Sequence, residues 1–329
     1  MPRPGVLILL YHRIACPDTD PQRLAVHPDR FAAHLRVVRD AAEVMSLTEL
    51  LAARADRRLP GRGLVLTFDD GYADNGAVAA PLLDQAGVPA TFFVTTSVLD
   101  GGREFWWDEL EQHLLGPGVL PDTLRLTIAG SAWTAALGAA ASWSEAEAAA
   151  WRDWTVEEPD PTPRHAAYRQ LCGALKPLAG DARRRVLDDL AAQAGTPSTV
   201  RETHRAMTAA EVGALSRRRG LDVGSHTVTH PSLAALPADA ERAELHDSRA
   251  TLAAMTGRPV EHVAYPFGGR GDHSWRTRRA ARAAGYTAAC ANEPGVVRSR
   301  TSPFRLPRVL VRDWDGPALA QRLERWFDG

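Results

Sequence analysis

Residues Gly63-Leu64-Val65-Leu66-Thr67-Phe68-Asp69-Asp70-Gly71 decide how the chain is to be read. An apolar strand ends on two adjacent carboxylates, and glycine then permits a tight turn. Neighbouring residues at a strand end point in different directions. The pair can therefore divide labour, one carboxylate binding a cation while the other faces a substrate water. Taken alone, Asp-Asp-Gly is more simply a polar strand-to-helix turn, since both residue types are ordinary turn formers.

Working outward, short apolar runs alternate with helical patterns. Strands are expected over 5–10, 89–95, 221–225, 262–265, 286–291 and 305–312, besides 63–68. Helices are expected over 29–41, 73–86, 238–256, 274–284 and 317–327. The capping boxes Ser46-Leu47-Thr48-Glu49 and Thr208-Ala209-Ala210-Glu211 open two more, the first running to about residue 57 and the second ended by Gly220. Such alternation predicts an α/β fold with a parallel sheet, closed as a distorted (β/α) barrel.

The pattern breaks over about 100–205. That stretch holds Trp106, Trp107, Trp133, Trp143, Trp151 and Trp154, a hairpin candidate at 124–133 and a Pro-rich hinge at 157–163. It reads as a Trp-rich insertion packed on the barrel. Because the motifs on either side must meet in space, residues 1–329 are expected to form a single domain.

Composition narrows the function classes. Hydrophobic residues make up 45% of the 329 and charged ones 24%, which is ordinary for a globular chain. The formal net charge of −1 gives no overall field favouring nucleic acid or an anionic membrane. Lys176 is the only lysine, a coding bias toward arginine. Cys16, Cys172 and Cys290 lie far apart without a CxxC pair, which suits a reduced compartment and excludes a thiolate zinc site. The apolar run 6–10 is too short to span a membrane and lacks a cleavage site, so it reads as a strand and the protein as cytoplasmic.

Two further motifs carry chemistry. In Ser225-His226-Thr227-Val228-Thr229-His230-Pro231, histidines at i and i+4 fall on one face of a helical turn and can share an ion. With a carboxylate they suit a divalent metal ion, zinc first among the first-row candidates. In Ala264-Tyr265-Pro266-Phe267-Gly268-Gly269, a strand opens into a loop whose backbone N–H groups can face a developing oxyanion.

Together, in this order, TFDDG, HTxxHP and YPFG resemble the polysaccharide deacetylase family, the NodB-like carbohydrate esterases. The resemblance covers roughly 5–100 and 205–312. It implies a NodB-type barrel and a metal-dependent hydrolase removing an N-acetyl or other N-acyl group from an amino sugar or glycan. It further implies Asp69 as general base, Asp70, His226 and His230 as metal ligands, and the Phe267 N–H as oxyanion donor.

Two departures from the family pattern follow. The arginine that most members carry shortly before the Pro-aromatic pair is missing, and Arg308 is the expected substitute. The C-terminal Leu-x-His that supplies a general acid is also missing, but Leu10-Tyr11-His12 repeats it at the end of the first strand. A strand moved from last to first can occupy the same place in a barrel. His12 is therefore the expected acid, as in the permuted branch that resembles poly-N-acetylglucosamine deacetylases. Tyr11, Pro266, Trp106 and Trp107 are the expected substrate contacts. Two alternatives stay open: an amidohydrolase acting on a small non-sugar amide, and a catalytically silent glycan-binding relative.

Overall fold

The computed structural model describes residues 5–195 and 198–328. The chain divides into two compact units: residues up to 16, 24–100 and from 207 onward form the first, and 17–23 with 101–206 the second.

In the first unit, β1 (Val6–Tyr11), α1 (Pro28–Ala41), β2 (Glu43–Val44), α2 (Leu47–Ala55), β3 (Gly63–Phe68), α3 (Ala80–Ala86) and β4 (Ala90–Val94) come before residue 100. After 207 follow α4 (Ala209–Ser216), β5 (Leu221–Ser225), α5 (Ala238–Thr256), β6 (His262–Ala264), α6 (Trp275–Ala283), β7 (Ala288–Cys290), β8 (Val309–Leu310) and α7 (Gly316–Asp328). The strands form one eight-stranded sheet in the order β7-β6-β5-β4-β3-β1-β8, with β2 also paired to β3. Every pairing is parallel. A parallel bridge between Cys290 and Leu306 ties the segment before β8 to the opposite edge. The sheet therefore curls nearly back on itself, as a distorted (β/α) barrel.

The first strand in the sequence is an interior strand of this sheet. It lies between β3, paired Leu10 to Thr67, and β8, paired Leu10 to Leu310. Every residue of β1 is buried, which explains its unbroken apolar run: a strand covered on both faces has no polar side to alternate with.

Two elements differ from expectation. The helix expected over 73–86 passes through a π-helical turn, Asn75–Ala79, before α3. Pro81 has no N–H to give the carbonyl of Ala77, and the wider turn shifts the ladder ahead of it. The strand expected over 305–312 shrinks to Val309–Leu310. Pro307 cannot donate to a ladder.

The second unit contains helices Trp106–Leu114, Pro163–Leu175 and Gly180–Ala194 and an antiparallel hairpin, Thr123–Ile128 with Ser131–Ala136. Ala129 and Gly130 close that hairpin, both at positive φ (50° and 81°), as a tight turn between right-twisted strands demands. Among the described residues no helix is long and apolar enough to cross a membrane.

Candidate active site

The motif residues of the first unit leave the carboxyl ends of strands: His12 after β1, Asp69 and Asp70 after β3, His226 after β5, Pro266 and Phe267 just past β6. In a parallel sheet those ends share one edge. Local chain geometry then aims the side chains.

Asp69 and Asp70 do divide. Asp69 receives Arg308 as a two-pronged clamp, Nη1 to Oδ1 at 2.7 Å and Nη2 to Oδ2 at 2.6 Å. Arg308 is fully buried, and its Nε donates to the Ala291 carbonyl at 3.1 Å. Burial alone would raise the Asp69 pKa. The adjacent Arg308 charge, with His226, outweighs it and holds the carboxyl down to about 2.

While Asp69 Oδ2 also comes within 3.8 Å of His226 Nε2, Asp70 is the carboxylate that faces both histidines. Its Oδ1 lies 3.6 Å from His226 Nε2 and 3.3 Å from His230 Nε2. That oxygen is buried and accepts no hydrogen bond, and burial pushes the Asp70 carboxyl up. His226 Nδ1 lies 2.8 Å from the Ala264 carbonyl. A carbonyl only accepts, so Nδ1 carries the hydrogen and Nε2 presents its lone pair toward Asp70. Burial lowers the His226 pKa to about 4, which keeps the ring neutral. One orphaned carboxylate oxygen and two imidazole nitrogens lie within 4.8 Å of one another. This donor set fits a divalent cation.

The histidines do not converge as a helical turn, as their spacing suggested. Residues 226–230 form an irregular loop in which Thr227 (φ 67°) and His230 (φ 55°) are left-handed. Of the eight non-glycine residues at positive φ among the described ones, four belong to this site: Asp70 (74°), Thr227, His230 and Phe267 (60°). Each such residue costs about 1–3 kcal/mol. Gly71 (φ 92°) completes the carboxylate turn, where a Cβ would press on Val94 at 3.0 Å.

His12, just after β1, lies within electrostatic reach of Asp70, Asp69 and Arg308. Its carbonyl accepts from Asn75 Nδ2 at 2.8 Å, and the Ile14 N–H donates to Asp74 Oδ1 at 2.9 Å. The turn after Asp70 therefore fixes the backbone that carries His12. Burial lowers the His12 pKa, while the charges of Asp70 and Asp69 oppose the shift. Its Nδ1 is buried without a hydrogen-bond partner. Phe267 stacks edge-on against His230, with ring centroids 4.8 Å apart, and Pro266 is buried behind it.

Three expected substrate contacts are corrected. Tyr11 is fully buried, stacked on Phe68 at 5.4 Å and edge-on to Phe31 at 5.3 Å. Side chains alternate along a strand, so Tyr11 must face away from His12. Trp106 and Trp107 are 8% and 6% exposed inside the second unit. Their rings meet edge to face at 5.3 Å, Phe105 stacks on Trp107, and Arg183 covers Trp106. Those faces are taken by packing. Sequence reasoning also missed Glu244, whose carboxylate touches the histidine loop. Nothing distinguishes it among the charged residues of α5.

The site can now be set against known proteins. The polysaccharide deacetylase family model matches residues 56–115 and 195–289. YxkH of Bacillus subtilis (strain 168), named for the same family, is 33% identical over 89 residues. That match covers 26% of this chain and spans only 30% of YxkH. IcaB from Ammonifex degensii superposes with a TM-score of 0.60 at 18% identity, covering 98% of this chain and 97% of its own. The Streptococcus pyogenes deacetylase PplD, solved with acetate, gives 0.56 at 19% identity, covering 98% and 99%. The two structures speak for the fold. The matched segments hold both aspartates, both histidines and the Pro-Phe turn, whereas His12 and Arg308 fall outside them and stand on geometry. Motifs, fold and the two segments matched by the family model agree in supporting a polysaccharide deacetylase of the NodB-like form.

Proposed function

We propose that the protein is a metal-dependent N-deacetylase that removes an acetyl or other N-acyl group from an amino sugar or glycan intermediate. The carrying observation is the buried, orphaned Oδ1 of Asp70 facing two imidazole nitrogens, beside an aspartate clamped by arginine. Asp70, His226 and His230 would hold a divalent cation, zinc by donor type. When bound, such an ion supplies Lewis acidity, lowering the pKa of water and polarising a carbonyl.

The chain's own groups supply the rest. Asp69 takes the proton of the attacking water. Arg308 binds both carboxylate oxygens and so holds Asp69 in one orientation beside the cation site. The Phe267 N–H, on its left-handed turn, donates to the oxyanion. His12 gives its proton to the departing amine, which leaves poorly without one. One unit carries this whole set, and we read 101–206 as an insertion into it. The free cysteines Cys16, Cys172 and Cys290 support a reduced, cytoplasmic setting, where a soluble or carrier-linked glycosyl intermediate is the fitting substrate.

The test is acetate release from N-acetylglucosamine derivatives by zinc-loaded protein, run beside small acylated amines and cyclic amides. Release from the sugars, lost on chelation and restored by zinc, supports the proposal. Turnover of the non-sugar amides alone would move it to an amidohydrolase, and no turnover with full metal occupancy would favour a silent binding protein. Exchange of Arg308 for Ala is expected to lower turnover at least tenfold and to destabilise the fold by about 3–5 kcal/mol, because Asp69 is left as an uncompensated buried charge. Turnover unchanged in that variant would remove Arg308 from the mechanism.

A further inference from the structure

The two histidines reach Asp70 only because the loop leaving β5 holds an uncommon shape. Thr227 and His230 are both left-handed, and the residues between them, Val228 and Thr229, form the crest. The strain would relax if the crest were free to move, and the imidazoles would then swing off Asp70.

The Ser97 N–H donates to the Val228 carbonyl at 2.8 Å, and one side chain binds the N–H and hydroxyl groups of the crest. Glu244, on the second turn of α5, takes the N–H of Val228 and the N–H of Thr229 on Oε2, each at 2.8 Å. Its Oε1 accepts the Thr229 hydroxyl at 2.6 Å. One turn further along the same helix, the Ser248 hydroxyl meets that of Ser225 at 2.7 Å, at the foot of the loop. Helix α5 thus grips the histidine loop at its foot and at its crest.

We propose that Glu244 is a positioning residue for the metal site, its carboxylate clamping the 228–229 crest so that His226 and His230 converge on Asp70. This rests on the metal reading above. Groups that orient metal ligands typically account for 10–100-fold in affinity. The clamp needs acceptors and no charge at Glu244. A glutamine there can accept both N–H groups on its oxygen and donate its amide hydrogen to the Thr229 hydroxyl, which rotates to receive it.

The experiment compares wild type, Glu244→Ala, Glu244→Gln and Thr229→Val after metal removal. Zinc affinity is measured by calorimetry, the visible spectrum of the cobalt(II) form is recorded, and the apo proteins are melted. Glu244→Ala should weaken zinc binding about 10–100-fold and alter the cobalt spectrum, and Glu244→Gln should restore both to near wild type. Thr229→Val removes one of the three bonds and should weaken binding about 2–10-fold, which keeps the proposal testable should Glu244→Ala not fold. Wild-type affinity and spectrum in Glu244→Ala or in Thr229→Val would overturn the clamp, as would a Glu244→Gln no better than Ala. A lower apo melting temperature alone would mark Glu244 as merely structural and likewise overturn it. Failure of the wild type itself to bind zinc or cobalt would instead overturn the underlying metal assignment, whereas a wild type that binds leaves the clamp to be judged on the variants alone.

Discussion

Asp69→Asn is expected to cut turnover by about 10²–10⁴-fold, the usual span for a general base, and separately to cost stability. The two losses have different causes. The asparagine side chain retains the shape of the carboxylate but cannot take a proton from water. Arg308 is fully buried against it, so the exchange also leaves a guanidinium without its counter-charge. Breaking a buried pair in this way costs about 3–5 kcal/mol. The double variant Asp69→Asn/Arg308→Met separates the effects. Removing both charges together leaves no unpaired buried ion, so the double variant should regain part of the melting temperature while remaining inactive. Urea unfolding and acetate release, measured on wild type, Asp69→Asn, Arg308→Met and the double variant, close the double-mutant cycle. Turnover that recovered along with stability in the double variant would show that the aspartate served the fold and not the reaction.

That cycle concerns two residues 239 positions apart in sequence, and the distance marks where sequence reading reached its limit. Local features were legible. The strand 63–68 and the helix 238–256 lie where apolar periodicity places them. Both capping boxes form as read. A parallel sheet brings strand ends to one edge, so the motif residues could be expected to meet. The path by which the histidines meet could not be read, because a spacing of four fits a helical turn as well as it fits a left-handed loop. Nothing in the sequence announces that Thr227, a β-branched residue, adopts φ 67°; its carbonyl and the N–H groups of Val228 and Thr229 bond to segments distant in sequence, Thr96 and Glu244. Tyr11 was open to better reading. Once His12 is assigned to the site face of β1, alternation sends Tyr11 to the opposite face, where it is fully buried. Trp106 and Trp107 carry a different lesson, since composition names an aromatic surface without saying which neighbour has already covered it.

His12→Ala is expected to lower turnover of an N-acetyl amine by about 10²–10⁴-fold while zinc occupancy stays full. The residue is held by backbone bonds, Asn75 to its carbonyl and Asp74 to the following Ile14 N–H. Truncating the ring should therefore leave its strand in place. Leaving-group chemistry decides between a catalytic and a structural role. An alkylamine must be protonated to depart, whereas the phenolate of an aryl acetate ester departs unaided. If His12 supplies that proton, the variant should lose most of its activity on the amide and little on the ester. If His12 only shapes the pocket, the displaced Asp69, Asp70 and loop would slow both substrates alike, because the attack on the carbonyl is common to them. Equal losses on amide and ester would therefore remove His12 from proton transfer. A selective loss on the amide would show that the first strand of the chain delivers the acid that most of the family takes from the last.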